Sequence, residues 1–250
     1  MNALILAGKE ADGPLKKVSD SKATIKIEGK EMILYVIDAL KALDFIQKIA
    51  VVGDKAELSF LKERVDMIIE QGNSLTQNIL KGAEALPPEE ELLVLTCDIP
   101  MITPEAIRDF AAKALELEAD FCYPIVRREV NDAKYPGVHR TYVRIKDGTF
   151  TGGNIVMLKA GTVKKAIDKA EAFLTYRKKP WMLAGILGIS FVAKLVLGTL
   201  TIKELENKVS GLFGLKARAV ISDYPEIGTD VDKESDLELA RKVLAGEGCR

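Results

Sequence analysis

The sequence is poor in the residues that most often bind metals or form cross-links. Its 250 residues contain one histidine, His139, and three cysteines: Cys97, Cys122 and Cys249. One histidine excludes a multi-histidine metal site and a two-histidine metalloprotease motif within one chain. Because the cysteines form no CxxC pair, we expect reduced thiols rather than zinc ligands or disulfides.

Neither sign of charge is in excess. The chain has 36 basic and 37 acidic residues, a net charge of -1 and a pI near 6.1. A general nucleic-acid binder needs a basic surface, so we expect no nucleic-acid partner.

The sequence also has neither the Gly-Lys-Ser/Thr of a P-loop nor a GxGxxG dinucleotide motif, which argues against both of those nucleotide sites.

One long apolar run stands out, WMLAGILGISFVAKLVLGTL at 181–200. It is almost long enough to span a bilayer, but Lys194 and three glycines interrupt it, and a basic run at 177–179 precedes it. A buried helix or helix pair is the favoured interpretation. The others are a helix at the membrane interface, giving peripheral membrane contact through 177–200, and a membrane span.

The apolar N-terminal run is too short for a signal peptide, so we expect a cytoplasmic protein.

The remainder of the sequence alternates between short apolar runs and amphipathic segments. It predicts strands at 3–7, 46–52, 66–70 and 91–96 and helices at 30–43, 56–65, 74–86 and 104–117. Continuous apolar strands are typical of a parallel sheet covered on both faces. After residue 119 the pattern predicts strands at 121–126, 141–145, 149–150, 154–158 and 217–222, helices between 162 and 211, and a last helix at 234–244.

We therefore expect a single α/β domain of three layers around a mostly parallel, mixed sheet. Its parts are a nucleotide-binding half (1–118), an acceptor-binding, partly helical part (119–215), and a return strand with the C-terminal helix (216–250). In such sheets ligands bind at the carboxyl ends of the strands. Three polar features follow strand ends, namely the loop at 8–22, Asp98 and the loop at 222–232, and their convergence predicts one site.

Several motifs resemble those of sugar-phosphate and cofactor nucleotidyltransferases. LILAG at 4–8 and SKATIKIEGKEMI at 21–33 are similar to their LAGG…PKxLxxIxGKPMI pattern. QGNSL at 71–75, TCDIP at 96–100, TGGN at 151–154 and GTDVDKESDL at 228–237 resemble further family segments. The similarity is greatest to the MobA-like NTP transferases, the molybdenum-cofactor guanylyltransferase-like group. The chain departs from the pattern at Lys9, where the family has a second glycine, in the absence of the loop arginine, and at Ser21, where it has proline.

The resemblance implies the GT-A-like, Rossmann-like fold of the nucleotide-diphospho-sugar transferases. It also implies a Mg²⁺-dependent nucleotidyltransferase that moves a nucleoside monophosphate from an NTP to a small phosphorylated acceptor, with CTP or GTP as the expected NTP. Lys22 and Asp98 would be catalytic, and Asp98 and Asp232, with Asp230 as the rival to Asp232, would bind the metal. The implied nucleotide-binding residues are Leu6, Ala7, Gly8, Lys9, Lys22, Gly72, Ser74, Asn78 and Asp98.

Other interpretations remain open from the residues alone. Asp98 could cap a turn, and Ser74 and Asp232 could be helix N-caps. The basic residues near the second half's first strand could receive an anionic acceptor; they are Arg127, Arg128, Lys134, His139 and Arg140. A GT-A-like glycosyltransferase or a non-catalytic nucleotide-binding regulator would share the fold, although the sequence DIP at 98–100 lacks the second aspartate of the glycosyltransferase D-x-D motif.

Overall fold

The computed structural model describes residues 1–8, 14, 15, 17, 19, 21–164, 167 and 187–246. In the first half, β1 (Asn2–Ala7) pairs in parallel with β4 (Ile49–Gly53) and β6 (Glu91–Thr96), and β4 pairs in parallel with β5 (Met67–Glu70). Their carboxyl ends therefore lie along one edge of the sheet, as the apolar runs predict.

The second half extends this sheet with strands of both directions. β7 (Phe121–Arg127) pairs in parallel with β11 (Ala217–Ser222) on one side. On its other side β7 pairs antiparallel with two strands, with β10 (Ile155–Lys159) at its beginning and with β9 (Gly148–Gly152) at its end. β10 also pairs antiparallel with β6, which joins the two halves, and β8 (Val143–Ile145) pairs with β9 at the edge. The expected mostly parallel, mixed sheet is confirmed.

Helices cover both faces of the sheet. The cluster that includes Ile33, Ile37 and Phe110 packs α1 (Met32–Lys41) and α3 (Pro104–Glu116) on one face. Ile79 and Ala83 of α2 (Leu75–Ala85) pack with Leu4 on the other face. A Cβ on Gly82 would lie 2.3 Å from the Leu4 side chain, so this glycine lets α2 approach β1 closely. The three layers follow directly from the alternating pattern.

Four further described helices complete the fold: α4 (Arg128–Lys134), α5 (Ile189–Val196), α6 (Ile202–Phe213) and α7 (Glu234–Leu244). The helix α4 is absent from the sequence prediction. α6 begins at a capping box, in which Thr201 Oγ1 accepts the Glu204 N–H and Glu204 accepts the Thr201 N–H. α6 contacts β11, so the returning strand is covered by the helix that precedes it.

Several predicted boundaries differ from the structure, and three of them have a clear physical reason or a shift of more than two residues. The helix expected from residue 30 begins at Met32, because 26–31 form a small hairpin of β2 (Lys26–Ile27) and β3 (Lys30–Glu31). Its turn residues Glu28 and Gly29 have φ of 48° and 79°, as a tight two-residue hairpin requires. The helix expected at 56–65 is a 3₁₀ segment, Glu57–Leu61, whose buried Leu58 and Leu61 recur at the three-residue spacing of that helix. The second strand begins at Ile49 rather than at 46.

The apolar run at 181–200 is described from residue 187 onward. Within that part, α5 has eight residues, and the chain turns at Gly198, whose φ is 67°. Among the described residues no helix has the length and apolarity needed to cross a bilayer. The residues at 177–186 lie outside the described part.

Candidate functional site at the carboxyl edge of the sheet

β1 brings Gly8 to the edge of the sheet beside the first turns of α2. A Cβ on Gly8 would lie 3.0 Å from Asn78 Nδ2 and 3.3 Å from Gln71 Oε1. Asn78 is buried, and its Oδ1 accepts the N–H of Gly72 at 2.6 Å. Asn78 therefore joins Gly8 to Gly72, and three of the predicted nucleotide-binding residues meet there.

The loop before α2 is held by its own hydrogen bonds. Ser74 Oγ accepts the N–H of Gln77 at 3.2 Å, which confirms Ser74 as the helix N-cap. Asn73 donates its N–H to Gln77 Oε1 at 2.9 Å. The N–H groups of Gly72 and Asn73 thus serve to shape the loop that faces Gly8.

Lys22 begins a short 3₁₀ turn, Lys22–Thr24, that is anchored by buried Ala23 and by Thr24 Oγ1, which donates to the Ser21 carbonyl at 3.0 Å. From there the Lys22 ammonium donates to Asp98 Oδ2 at 3.0 Å and also to Asp232. The loops after β1, β6 and β11 therefore meet at this one ammonium group, which is the convergence that the sequence predicts.

Asp98 lies two residues beyond the end of β6, where two backbone hydrogen bonds to other parts of the chain hold the main chain in place. The N–H of Cys97 donates to the Leu6 carbonyl at 3.1 Å, and the Asp98 carbonyl accepts the N–H of Val231 at 2.8 Å. Buried Val231 stands between Asp230 and Asp232, so its hydrogen bond holds both carboxylates beside Asp98.

Asp230 is bound by an arginine from the second half of the chain. Arg140 Nη1 donates to Asp230 Oδ1 at 2.5 Å, and Nη2 donates to the Asp230 carbonyl at 2.8 Å. The Arg140 side chain is 8% exposed. A paired contact of this kind fixes the aspartate geometrically as well as electrostatically.

The three carboxylates form a group that can bind a metal. Asp98, Asp230 and Asp232 each offer an oxygen within 4.8 Å of the others. Asp98 Oδ1 is buried and, within the described residues, accepts no hydrogen bond. A buried carboxylate oxygen without a donor is costly unless a ligand satisfies it. A hard divalent cation such as Mg²⁺ is the kind of ligand that carboxylate oxygens prefer.

Among the described residues the charges of the site are unequal, since two cations, Lys22 and Arg140, face three carboxylates. Burial raises the pKa of Asp230 to about 6, and the charges of Asp232 and Asp98 add to this effect. Burial would also raise the pKa of Asp232, but the hydrogen bond and charge of Lys22 hold it below its usual range. For Lys22 the desolvation that would lower its pKa is outweighed by Asp98 and Asp232, so the pKa is raised and the ammonium stays charged.

Two of the alternative roles disagree with the structure. Asp232 is not the N-cap of α7, because the cap is Lys233, and Asp236 Oδ2 accepts the N–H groups of both Asp232 and Lys233. Asp98 caps no turn within the described residues, since Oδ1 has no partner and Oδ2 accepts from Lys22. The predicted Lys9 lies outside the described part of the chain.

The basic residues considered for the acceptor are largely engaged with the protein itself. Lys134 donates to Glu226 Oε2 at 2.7 Å, Arg128 pairs with Asp132 at 3.0 Å, and Arg127 donates to the Asp147 carbonyl at 3.2 Å. Arg140 belongs to the carboxylate cluster described above, and His139 is exposed. Sequence reasoning missed Glu226, which is 1% exposed and also accepts from Thr103 Oγ1 at 3.2 Å. A glutamate is normally expected at the surface, so the sequence did not indicate that this one is buried.

The TGGN segment at 151–154 positions the loop that carries Asp230 and Asp232. A Cβ on Gly153 would lie 2.6 Å from Ile227 Cγ2 and 2.7 Å from Pro124 Cγ. The N–H of Asn154 donates to the Ile227 carbonyl at 2.8 Å. Only a residue without a side chain allows this close approach, so the glycine has a packing role near the site.

Comparisons with known proteins agree with this architecture. A solved structure described as a hypothetical transferase from Thermus thermophilus is 36% identical, with a TM-score of 0.84, and the match covers 94% of this chain and 98% of that one. The CMP:2-keto-3-deoxy-manno-octonic acid synthetase complexed with CTP shares the fold, at 14% identity and a TM-score of 0.64, over 98% of both chains.

Two curated proteins are also similar in sequence. The bifunctional protein GlmU of Thermoanaerobacter pseudethanolicus is 37% identical over 100 residues, which is 39% of this chain but 22% of that protein. A probable molybdenum cofactor guanylyltransferase of Pyrococcus furiosus is 26% identical over 163 residues, 61% of this chain and 80% of the relative. The family model of the MobA-like NTP transferase domain matches residues 3–181. The chain therefore belongs to the MobA-like NTP transferases, a family of nucleotidyltransferases with the GT-A-like fold.

Proposed function

We propose that this protein transfers a nucleoside monophosphate from CTP or GTP to a small phosphorylated acceptor and releases pyrophosphate. The observation that carries the proposal is the meeting of Lys22, Asp98 and Asp232 at the carboxyl edge of the sheet. One Asp98 oxygen there has no hydrogen-bond donor in the part of the chain that the structure describes. The choice of CTP or GTP is supported by the relatives, one named for guanylyl transfer and one complexed with CTP.

The reaction requires little covalent help from the protein. An oxygen of the acceptor phosphate forms a bond to the α-phosphorus of the NTP, and the bond from that phosphorus to the bridging oxygen of the β-phosphate breaks, so pyrophosphate leaves with the electron pair. The acceptor phosphate is already ionised at neutral pH, so no general base is needed. The main barrier is repulsion between two anions, which positioned cations offset.

Asp98 and Asp232 are the residues that would hold Mg²⁺. Both lie against the same ammonium, whereas Asp230 is committed to Arg140. Mg²⁺ would supply positive charge against the phosphate oxygens. Lys22 would then direct its ammonium to the triphosphate, and Arg140 would hold Asp230 and its loop in place as a positioning residue. Gly8, Gly72, Ser74 and Asn78 would shape the surface against which the nucleotide lies.

The first test is independent of the unknown acceptor. Binding of CTP, GTP, ATP and UTP is measured by calorimetry with Mg²⁺ and again with EDTA. We expect Mg²⁺-dependent binding of CTP or GTP, weakened at least about tenfold in Asp98→Asn, because a charged ligand oxygen is lost. Asp223→Asn is the matched control, since this carboxylate also follows a strand of the same sheet but its side chain is 74% exposed.

The second test measures whether the protein catalyses nucleotidyl transfer. Pyrophosphate release is followed with each NTP and a panel of sugar phosphates and phosphoalcohols. Nucleotide binding without pyrophosphate release across the panel would identify a nucleotide-binding regulator. Turnover of nucleotide sugars in place of NTPs would identify a glycosyltransferase instead.

A further inference from the structure

Lys22 contacts the same two carboxylates that would hold the metal in the proposed reaction. Its ammonium donates to Asp98 Oδ2 at 3.0 Å and also to Asp232. The side chains of Lys22 and Asp98 are each 14% exposed, so this contact is largely shielded from water. Opposite charges that are shielded from water attract each other more strongly than charges at the surface. A metal bound to Asp98 and Asp232 would therefore have to compete with this ammonium.

The other oxygen of Asp98 does not offer a separate way to bind a cation. Oδ1 is buried and, within the described residues, accepts no hydrogen bond. Turning the carboxylate so that Oδ1 meets solvent would move Oδ2 away from Lys22. The Asp232 side chain is 55% exposed, but a single carboxylate is a poor ligand set for Mg²⁺ unless phosphates complete it. Asp98 can therefore bind a metal only if its contact with Lys22 is broken.

The charges of the described site match a divalent cation only after Lys22 has left. Arg140 donates to Asp230 Oδ1 at 2.5 Å and so offsets that carboxylate. Asp98 and Asp232 then carry two negative charges, and Lys22 offsets one of them. A divalent cation added beside Lys22 would leave the group positively charged, with two cations facing the same oxygens. Because like charges repel at such short range, one cation excludes the other unless further negative charge arrives.

A triphosphate is the partner that can take Lys22 from the aspartates. A partly buried ammonium that gave up both carboxylates without a new anion would lose much free energy. The loop that follows β1 ends in the turn that carries Lys22, and Asp98 follows the neighbouring strand β6. Phosphate oxygens bound at this edge would supply the negative charge that both cations need. The same ligand would thus free the aspartates and satisfy Lys22.

We propose that Lys22 blocks the metal ligands of the nucleotide-free protein and moves to the triphosphate when a nucleotide binds. Asp98 and Asp232 then accept Mg²⁺ together with the nucleotide, rather than from solvent beforehand. Lys22 alternates between two sets of oxygens, those of the two aspartates and those of the phosphates. The inference rests on the proposed nucleotidyl transfer, which supplies both the triphosphate and the metal.

The experiment measures metal binding to the full chain with no nucleotide present, by titration calorimetry with Mn²⁺ as the probe. Lys22→Met removes the ammonium and keeps a side chain of similar length. Because the apparent affinity of a site falls with the fraction of molecules in which it is accessible, this variant should bind Mn²⁺ at least about tenfold more tightly than the parent. Lys134→Met is the matched control, since Lys134 also pairs with a carboxylate, Glu226, that is not a metal ligand. The control should bind Mn²⁺ as the parent does.

The same variants are then titrated with CTP and GTP in the presence of Mg²⁺. Lys22→Met should bind the nucleotide at least about tenfold more weakly than the parent, because the phosphates lose a charged donor. Opposite changes in metal affinity and nucleotide affinity identify a residue that alternates between the two ligands, and a merely structural role would not produce them. Thermal melts check that the variants fold, and Lys22→Gln is a second variant with the same expected directions.

Equal Mn²⁺ affinity of the parent and the folded Lys22 variants would overturn the proposal. Weaker Mn²⁺ binding by the variants would also overturn it, because Lys22 would then help to hold the metal. So would unchanged nucleotide affinity, since Lys22 would have no second set of partners. The proposed transfer fails on a different result, a parent chain that binds none of the four NTPs. In that case tighter Mn²⁺ binding by Lys22→Met would support the block of the aspartates and overturn the movement to a triphosphate.

Discussion

The two halves of the chain use their charged residues in opposite ways. In residues 1–118, Lys22 and Asp98 extend from the ends of neighbouring strands into a site where, among the described residues, carboxylates outnumber cations. In residues 119–215, Lys134 and Arg128 are each satisfied by a carboxylate of the protein itself. Charged side chains that meet with one sign in excess indicate a ligand site. Charged side chains that are each paired with an opposite charge indicate a role in stability. This difference explains why the nucleotide chemistry is easier to infer than the acceptor.

The sharpest test of this comparison separates Asp232 from Asp230. Asp232→Asn should lower kcat by about 10²–10³-fold, because it removes one of the two carboxylates that would hold Mg²⁺ against the reacting phosphates. Asp230→Asn should lower kcat less than about tenfold. It should change the free energy of unfolding by less than about 1 kcal/mol, because the amide Oδ1 can still accept from Arg140 and the repulsion from Asp98 and Asp232 is removed.

Steady-state kinetics and urea denaturation of the two variants measure these effects. A larger loss of kcat in Asp230→Asn than in Asp232→Asn would reverse the assignment. It would make the Arg140-bound carboxylate the reactive one.

The glycine that lets the halves pack gives the next largest effect. Gly153→Ala should destabilise the protein by about 2–3 kcal/mol, because its Cβ would come within 2.6 Å of Ile227 and 2.7 Å of Pro124. Gly161→Ala is the control, since no atom lies within 4 Å of the Cβ position there and its φ is not in the left-handed region. Equal urea midpoints for the two variants would show that the loop at 225–228 can move aside at no cost.

Much of the fold could be predicted because strand positions depend on local patterns. The strands Glu91–Thr96 and Ala217–Ser222 and the helix Glu234–Leu244 have the predicted bounds, since an apolar or periodic run changes abruptly at each end. The meeting of Lys22 with Asp98 was also predictable, because it follows from the rule that parallel strands end at one edge.

The partners of the other charged residues could not be predicted in this way. Arg140 and Asp230 lie 90 residues apart, and Lys134 and Glu226 lie 92 apart. Which charges face each other across such distances depends on the path of the loop at 225–232 over β7. That path is set by close packing at Gly153, and packing leaves no periodic signal in the sequence.

Lys134 tests whether the second half's cations serve stability rather than the acceptor. Lys134→Met should lower the free energy of unfolding by about 1–2 kcal/mol, because buried Glu226 loses a charged donor. The KM for the acceptor should stay unchanged. Arg128→Met is the control, since both partners of its i,i+4 pair are exposed and such pairs contribute about 0.3–0.5 kcal/mol. A raised acceptor KM at unchanged stability would instead place Lys134 in the acceptor site.

The smallest expected effect compares two threonine N-caps with the same local chemistry. Thr103 caps α3 and Thr201 caps α6, each by accepting one backbone N–H at 3.2 Å. Loss of such a cap costs about 1 kcal/mol. Each hydroxyl also donates to a glutamate, Thr103 to Glu226 and Thr201 to Glu204. Because Glu226 is buried and the Glu204 side chain is exposed, Thr103→Ala should cost about 0.5–1 kcal/mol more than Thr201→Ala. In a Glu226→Gln background whose amide NH₂ faces position 103, the glutamine no longer accepts from Thr103. The difference in cost between the two threonine variants should then vanish. An excess that persists there would show that the α3 cap, rather than the link between the halves, accounts for the difference.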